Sequence, residues 1–355
     1  PKLADCWLER WFGLSRDEGV RALDDLRDGV ERAIEALGAG FLRHPHNVML
    51  VRDLADGTLD KQDYYRELLR LVYRLIFLFS AEDRDVLLDP KAPEVARRRY
   101  HRFYATRQLR ELAGDLRGGP HGDLWDRLRV VMSALDEGAA ALGLPALGSF
   151  LWSREALPHL GSASLSNADL LGALRALSYL ERDHQRFPIA WRTVAADELG
   201  SIYEGLLELH PRLDARAGAF ELDTAAGNER KKTGSYYTPT SLVDYLLDSA
   251  LEPVIDAAVA GKSRAEAEQA LLSLKVVDPA CGSGNFLVAA ARRMARRLAS
   301  VRTGDDEPSP PELRHALRDV VGRCIYGVDL NEMAVELCKV ALWMEAVEPG
   351  KPLSF

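Results

Sequence analysis

The sequence predicts a chain in two parts: a helical region over residues 1–225, then the start of an α/β region with a parallel sheet over 226–355. Three observations carry this reading. Apolar residues recur at helical spacing through most of the first part. A polar, glycine-containing stretch, "DTAAGNERKKTG" (223–234), separates the two. Beyond it the order becomes strand, glycine loop, helix, strand, helix, the pattern that joins parallel strands.

In the first part, "DKQDYYRELLRLVYRLIFLFSAEDR" (60–84) is the clearest helix. Asp60 suits its N-cap, and Asp63 three positions on resembles a capping box. Leu68, Leu71, Val72, Leu75 and Phe79 line one face, and Leu69, Ile76 and Leu78 widen it, so this helix is expected at the centre of the helical core. Glycine and proline at "RGGPHGD" (117–123) and "LGLPALGSF" (142–150) divide further helices. A long helix is expected around "ADELGSIYEGLLELH" (196–210). In the second part, "YYTPTSLVDYLLDSALEPVID" (236–256) places Thr238 at an N-cap and Pro239 at the first helical position. A strand follows at 274–278, then "DPACGSGNFL" (278–287) opening a helix that ends in "ARRMARRLASVR". A proline-rich connection (303–314), a strand "CIYGVDL" (324–330) and a helix "NEMAVELCKVALWMEA" (331–346) complete the order.

Composition narrows the possibilities. With 355 residues the chain can bury a sizeable core, and its net charge of −8 argues against an all-round nucleic-acid coat while allowing a local basic face. Cys6, Cys281, Cys324 and Cys338 form no CxxC and no metal-ligand spacing, so no metal is expected and a reduced, cytoplasmic setting is. The densest apolar run (68–79) carries Arg70 and Arg74 and is too short to span a bilayer, so no membrane partner is expected.

The glycine loop carries the chemistry. A phosphate-binding P-loop needs lysine and Ser/Thr after the second glycine, and both are missing. A dinucleotide fingerprint needs a third glycine, where Leu287 stands, and an acid about 20 residues on, whereas the next strand-terminal acid is Asp329. A tight strand–helix turn without a ligand is the remaining plain alternative. The surroundings favour a zwitterion: N–H groups of the loop and helix start can hold a carboxylate, Asp278 can pair with an ammonium, and Asp329 can accept two ribose hydroxyls. An amino acid sulfonium joined to a ribose is S-adenosylmethionine.

In this order, "TGSYYTP", "DPACGSGNFL" and "YGVDLN" resemble the first three motifs of amino-group DNA methyltransferases. The resemblance is closest to the adenine-N6 methyltransferases of type IIG restriction–modification enzymes and of BREX- or DISARM-like phage defence. It covers about residues 231–346, and "YYRELLRLVYRLIFLFSAEDR" and "ELGSIYEGLLEL" resemble the helical region that precedes the domain there. It implies a Rossmann-like class I methyltransferase fold with an incomplete sheet. It also implies S-adenosylmethionine as cofactor, and as partners double-stranded DNA with a flipped adenine and other defence-system subunits. Thr238 would contact the cofactor carboxylate, with Tyr236 and Tyr237 shaping the pocket edge or simply packing. Asp278 and the backbone of Pro279, Ala280, Cys281, Gly282, Ser283 and Gly284 would cradle the methionine part, with Phe286 closing that side. Asp329 would hold the ribose and Leu330 would pack on the adenine. Cys281 reads as a small loop filler rather than a nucleophile.

The family's catalytic Asn/Asp-Pro-Pro-Tyr/Phe does not occur. The adjacent prolines of "SPPEL" (309–313) follow a serine in a connection. Two strands cannot bury both faces of an α/β sheet, so the chain is expected to be a fragment or one half of a split enzyme, inactive alone. Glu229-Arg230-Lys231 is a poor nuclease candidate because it lies in the linker rather than on a strand. For DNA contact, "ARRRYHRFYATRQLR" (96–110) interleaves Arg97, Arg98 and Arg102 with aromatics, which suits phosphate contacts and stacking or, alternatively, a solvated basic face. The basic run 292–302 is expected to face solvent or the missing half of the domain. A silent scaffold that binds DNA or a partner remains the alternative to an enzyme.

Overall fold

A computed structural model describes residues 7–352 apart from 183–184, 195–197, 199, 201–205, 207–208 and 225–237, with side chains from residue 24 on. The first region is built on α1 (Trp7–Arg43), α2 (Val48–Asp56), α3 (Lys61–Asp83), α4 (Glu94–Phe103), α5 (Thr106–Asp115), α6 (Asp123–Glu137) and α7 (Asn167–Ser178). Asp60 caps α3 by accepting from the Gln62 N–H at 2.7 Å, as its position before the apolar stripe predicts. Asp63 instead pairs with Arg66 at 3.0 Å on the surface. Every predicted apolar position of α3 is buried, and each such side chain contributes about 1.5–3 kcal/mol. Arg74, on the same helix, is also buried. Its guanidinium donates to the carbonyls of Leu151 (2.6 Å) and Ser153 (2.8 Å), and burial pushes its pKa down to about 10. Against α1 lies α7, so close that a Cβ at Gly29 would stand 2.6 Å from the Ala176 carbonyl oxygen.

Residues 1–225 are not helical throughout. Two antiparallel hairpins interrupt them, β1 (Tyr179–Arg182) with β2 (Gln185–Pro188), and β3 (Leu209–Asp214) with β4 (Ala219–Thr224). Leu209 and His210, expected at the end of a helix, therefore begin a strand, while most of 196–208 lies outside the described residues.

The second region runs α8 (Thr240–Leu246), a π-helical turn (Leu247–Leu251), α9 (Glu252–Val259), α10 (Arg264–Ser273), β5 (Val276–Asp278), α11 (Asn285–Thr303), α12 (Pro310–Cys324), β6 (Ile325–Gly327) and α13 (Glu332–Ala346). Pro239, not Thr238, occupies the N-cap of α8. The proline-rich connection is shorter than expected. Ser309 and Glu312 form a reciprocal capping box, with Pro310 and Pro311 in the first turn of α12, where missing N–H groups cost nothing. Cys324 ends that helix rather than starting a strand. Among the described residues no helix is long and apolar enough to cross a membrane.

The two regions share α13. Its Met333, Leu337, Val340, Trp343 and Met344 join the core of the first region. Cys338, Ala341 and Ala346 face the second. Arg70 of α3 grips Glu336 with two hydrogen bonds (2.8 and 2.6 Å), and Arg84 donates to the Met344 carbonyl at 3.2 Å.

Candidate cofactor-binding site

The short strands β5 and β6 are parallel neighbours in register, Val276 opposite Ile325, Val277 opposite Tyr326 and Asp278 opposite Gly327. The ladder continues past both strands: Val328 N–H donates to the Asp278 carbonyl and Cys281 N–H to the Val328 carbonyl, each at 2.9 Å. The two predicted acids thus lie at the same end of one parallel pair, Asp278 closing its strand and Asp329 two residues past the level of Gly327. Asp329 Oδ2 accepts from Gly282 N–H at 2.9 Å and its Oδ1 from Asn331 N–H at 2.8 Å, which ties the second strand's tip to the glycine loop. Each carboxylate oxygen accepts one bond here and has a second lone pair, so the half-buried acid retains capacity for two hydroxyl donors.

Two glycines are required by the backbone. Gly282 (φ 52°) and Gly284 (φ 93°) are left-handed, and a Cβ on Gly284 would lie 2.6 Å from the Cys338 sulfur. This close approach seats α11 on α13. Gly284 N–H returns to the Cys281 carbonyl (2.8 Å), and Ala280 N–H to Asp278 Oδ1 (3.0 Å). The amides of Ala280, Cys281, Gly282 and Gly284 are therefore spent within the fold and Pro279 has none, so the loop's own N–H groups supply less of a carboxylate cradle than the sequence suggests. Donors remain in the first turn of α11, where helix geometry leaves N–H groups without intrahelical acceptors.

Ser283 is buried and Phe286 half-buried, its ring packed into the core of the second region. Cys281 and Cys338 lie buried together under the loop. Their mutual hydrogen bond, aided by burial, pushes the Cys338 thiol far up, and the same bond draws that of Cys281 down against the opposing effect of burial. Cys281 fills space against Gly327, as its size suggests. Thr238 is half-buried, and its carbonyl accepts from Asn285 Nδ2 at 3.0 Å, which pins the segment before α8 to the start of α11. Tyr236, Tyr237 and the Glu229–Lys231 tripeptide lie outside the described residues. Leu330 is fully exposed beside the exposed Val328, Tyr326 and Val277. Sequence reasoning missed Asn285, Asn331 and Cys338 as residues that set this geometry. Of these Asn331 was findable as an N-cap before Glu332, since its side chain accepts from Met333 N–H at 3.0 Å.

Elsewhere, the 96–110 segment divides. Tyr100 is core, donating to the buried Glu82 at 2.6 Å, and Arg107 and Arg110 bind Asp83. Arg98 pairs with Glu94 at 3.3 Å and Arg102 lies over the Phe103 ring at 5.3 Å, both exposed, while the Arg97 Nε is buried. The 292–302 run is not simply solvated. Arg292 grips Glu345, Arg293 gathers Asp244, Asp248 and Glu252, Arg297 binds Asp256, and Arg302 binds Glu268 and Asp319. These pairs fasten α11 to its neighbouring helices.

Residues 256–349, which include both strands and the loop, match the family described as the MmeI DNA-methyltransferase domain. A Methanocaldococcus jannaschii protein named as a putative type II restriction enzyme and methyltransferase is 21% identical, over 82% of this chain and 25% of its own length. The adenine-specific methyltransferase PglX of Streptomyces coelicolor is 30% identical over 118 residues, 33% of this chain and 8% of PglX. The solved type IIL restriction-modification enzyme MmeI, in complex with DNA, overlaps 88% of this chain and 35% of its own, with TM-score 0.47 and 17% identity. The chain spans about a quarter of the length of the archaeal relative. The adenine-methyltransferase kinship expected from the three motifs is the one these comparisons return.

Proposed function

We propose that the chain forms the cofactor-binding portion of a site-specific DNA adenine-N6 methyltransferase serving restriction–modification or phage defence in the cytoplasm, with S-adenosylmethionine as methyl donor. In this reading residues 226–355 begin a Rossmann-like class I sheet and 1–225 are its helical connector. The observation that carries it is the Asp278–Asp329 pair: two acids on adjacent parallel strand tips, joined through a left-handed glycine loop that opens a helix. A nucleoside across those tips would set its hydroxyls on the spare lone pairs of Asp329. Its carboxylate would meet the first-turn N–H groups of α11 and Thr238, and its ammonium Asp278. Leu330 and its exposed neighbours offer an apolar surface to the adenine. When bound, the cofactor supplies an activated methyl group for direct displacement by an exocyclic nitrogen, and the protein's share is positioning and water exclusion. The target adenine of double-stranded DNA must leave the stack to be reached. Arg98 and Arg102, exposed on α4, and Arg97 beside them are the proposed backbone contacts.

Calorimetry with S-adenosylmethionine tests this. Saturable heat in the wild type, reduced by at least tenfold in affinity by Asp329→Ala, supports it. The absence of heat, or unchanged binding in the variant, would leave a scaffold that retains only the fold.

A further inference from the structure

A cleft of about 680 Å³ lies on the seam between the two regions, and its chemistry differs from that of the strand tips. Five arginines line it: Arg84 and Arg192 from the first region, Arg292, Arg296 and Arg314 from the second. Only Glu307 and Glu345 oppose them, and Glu345 is already held by Arg292 at 2.8 Å. So strong a positive excess is notable in a chain of net charge −8. Arg84 is fixed by three carbonyls, those of Arg192, Met344 and Val194. The side chains of Arg192, Arg296 and Arg314 make no hydrogen bond or ion pair with the described residues, although nearly every other arginine of α11 is paired. Beneath this rim the floor is apolar, with Val86, Leu317 and Met344.

We propose that this seam cleft binds a nucleoside polyphosphate, with phosphates on the unpaired guanidinia and the base on the apolar floor. Guanidinium forks match phosphate oxygens bidentately, and a flat heteroaromatic ring covers apolar surface that a bare anion would leave wet. The volume falls within the range of small-molecule sites, about 300–1,000 Å³. Met344 lies 12 residues along α13 from Glu332, about 18 Å at 1.5 Å per residue, so the cleft is remote from the strand tips. Duplex DNA would present its phosphates but keep its bases from the floor. Because both regions contribute arginines, a ligand here would also tighten their junction.

The test titrates ATP, sodium tripolyphosphate and a short DNA duplex into the full chain, then into Arg296→Ala/Arg314→Ala. Both substituted side chains are unpaired, so folding is expected to be unchanged, and a thermal melt checks this. ATP is expected to bind one to one, the variant to weaken it at least tenfold, and tripolyphosphate to bind at least tenfold more weakly than ATP. S-adenosylmethionine binding should be the same in both proteins, which keeps this outcome separate from the strand-tip reading. The proposal is overturned by no ATP heat, by equal ATP affinity in the variant, by tripolyphosphate matching ATP, or by duplex DNA displacing ATP, which would make the rim a DNA contact.

Discussion

Asp329 offers the sharpest test, because one side chain serves both the loop and the proposed ribose. Its two oxygens accept from Gly282 N–H (2.9 Å) and Asn331 N–H (2.8 Å). A hydrogen bond to a charged acceptor contributes about 1.5–3 kcal/mol, and water replaces part of that at a half-buried site, so Asp329→Ala is expected to cost about 2–3 kcal/mol for the pair. Asp329→Asn keeps one carbonyl oxygen and should cost about half as much. Urea denaturation followed by circular dichroism reads both, as midpoint shifts at constant slope. Two further bonds to ribose hydroxyls, lost together, correspond to about 3 kcal/mol, or roughly 100-fold in Kd for S-adenosylmethionine. The two effects are separable. An alanine variant destabilised as expected but with undiminished cofactor affinity would refute the ribose role. One that shifts neither quantity would refute the geometry itself.

Gly284→Ala should destabilise by about 2–4 kcal/mol, from the left-handed backbone and the overlap with Cys338, and adding Cys338→Ala should recover only the packing share in the same urea assay. A double-mutant cycle on Arg70→Ala and Glu336→Ala should give a coupling of about 1–2 kcal/mol, since the pair is bidentate with side chains only 17% and 20% exposed; a coupling near zero would mean α13 is held by its apolar face alone. The Asp83 carboxyl would be raised by burial, but Arg110 and Arg107 more than offset this and hold it below its ordinary value. A pKa depressed in the folded state favours folding above the unfolded value and ceases to do so as pH falls through the folded one. Stability should therefore decline more steeply between about pH 5 and 2 in the wild type than in Asp83→Asn, as melts across that range would show.

How much was legible in the sequence depended on whether the signal was local. The stripe on α3 and the cap at Asp60 were readable because helical spacing and an Asx side chain act within a few residues. The strand–loop–helix at 276–303 was readable because the left-handed glycines follow an acid that ends an apolar run. The start of α12 is spelled by the Ser309–Glu312 capping box, but its two adjacent prolines read equally as a connection and as a helix's first turn, which hides it. Hairpins β1–β2 and β3–β4 were illegible for another reason. Their pairing is set by packing, as where the Phe220 ring meets the backbone of α1 at Gly38, and no periodicity announces such a contact. Likewise nothing in "ARRMARRLASVR" tells which arginines meet carboxylates 17 to 53 residues away, so a run that looks solvated proves to be a set of clasps. The Asp278–Asp329 juxtaposition was predictable as parallel strand ends, but the consumption of the loop amides by Asp329 and Val328 appears only in three dimensions.

The dual loyalty of α13 has a practical consequence. Cutting the chain at the apparent linker near residue 226 would strip the cover from Met333, Leu337, Val340, Trp343 and Met344 at once, leaving a greasy stripe and an orphaned Glu336 in water. The methyltransferase portion made that way should aggregate, and the two parts should melt as one cooperative body rather than in two steps.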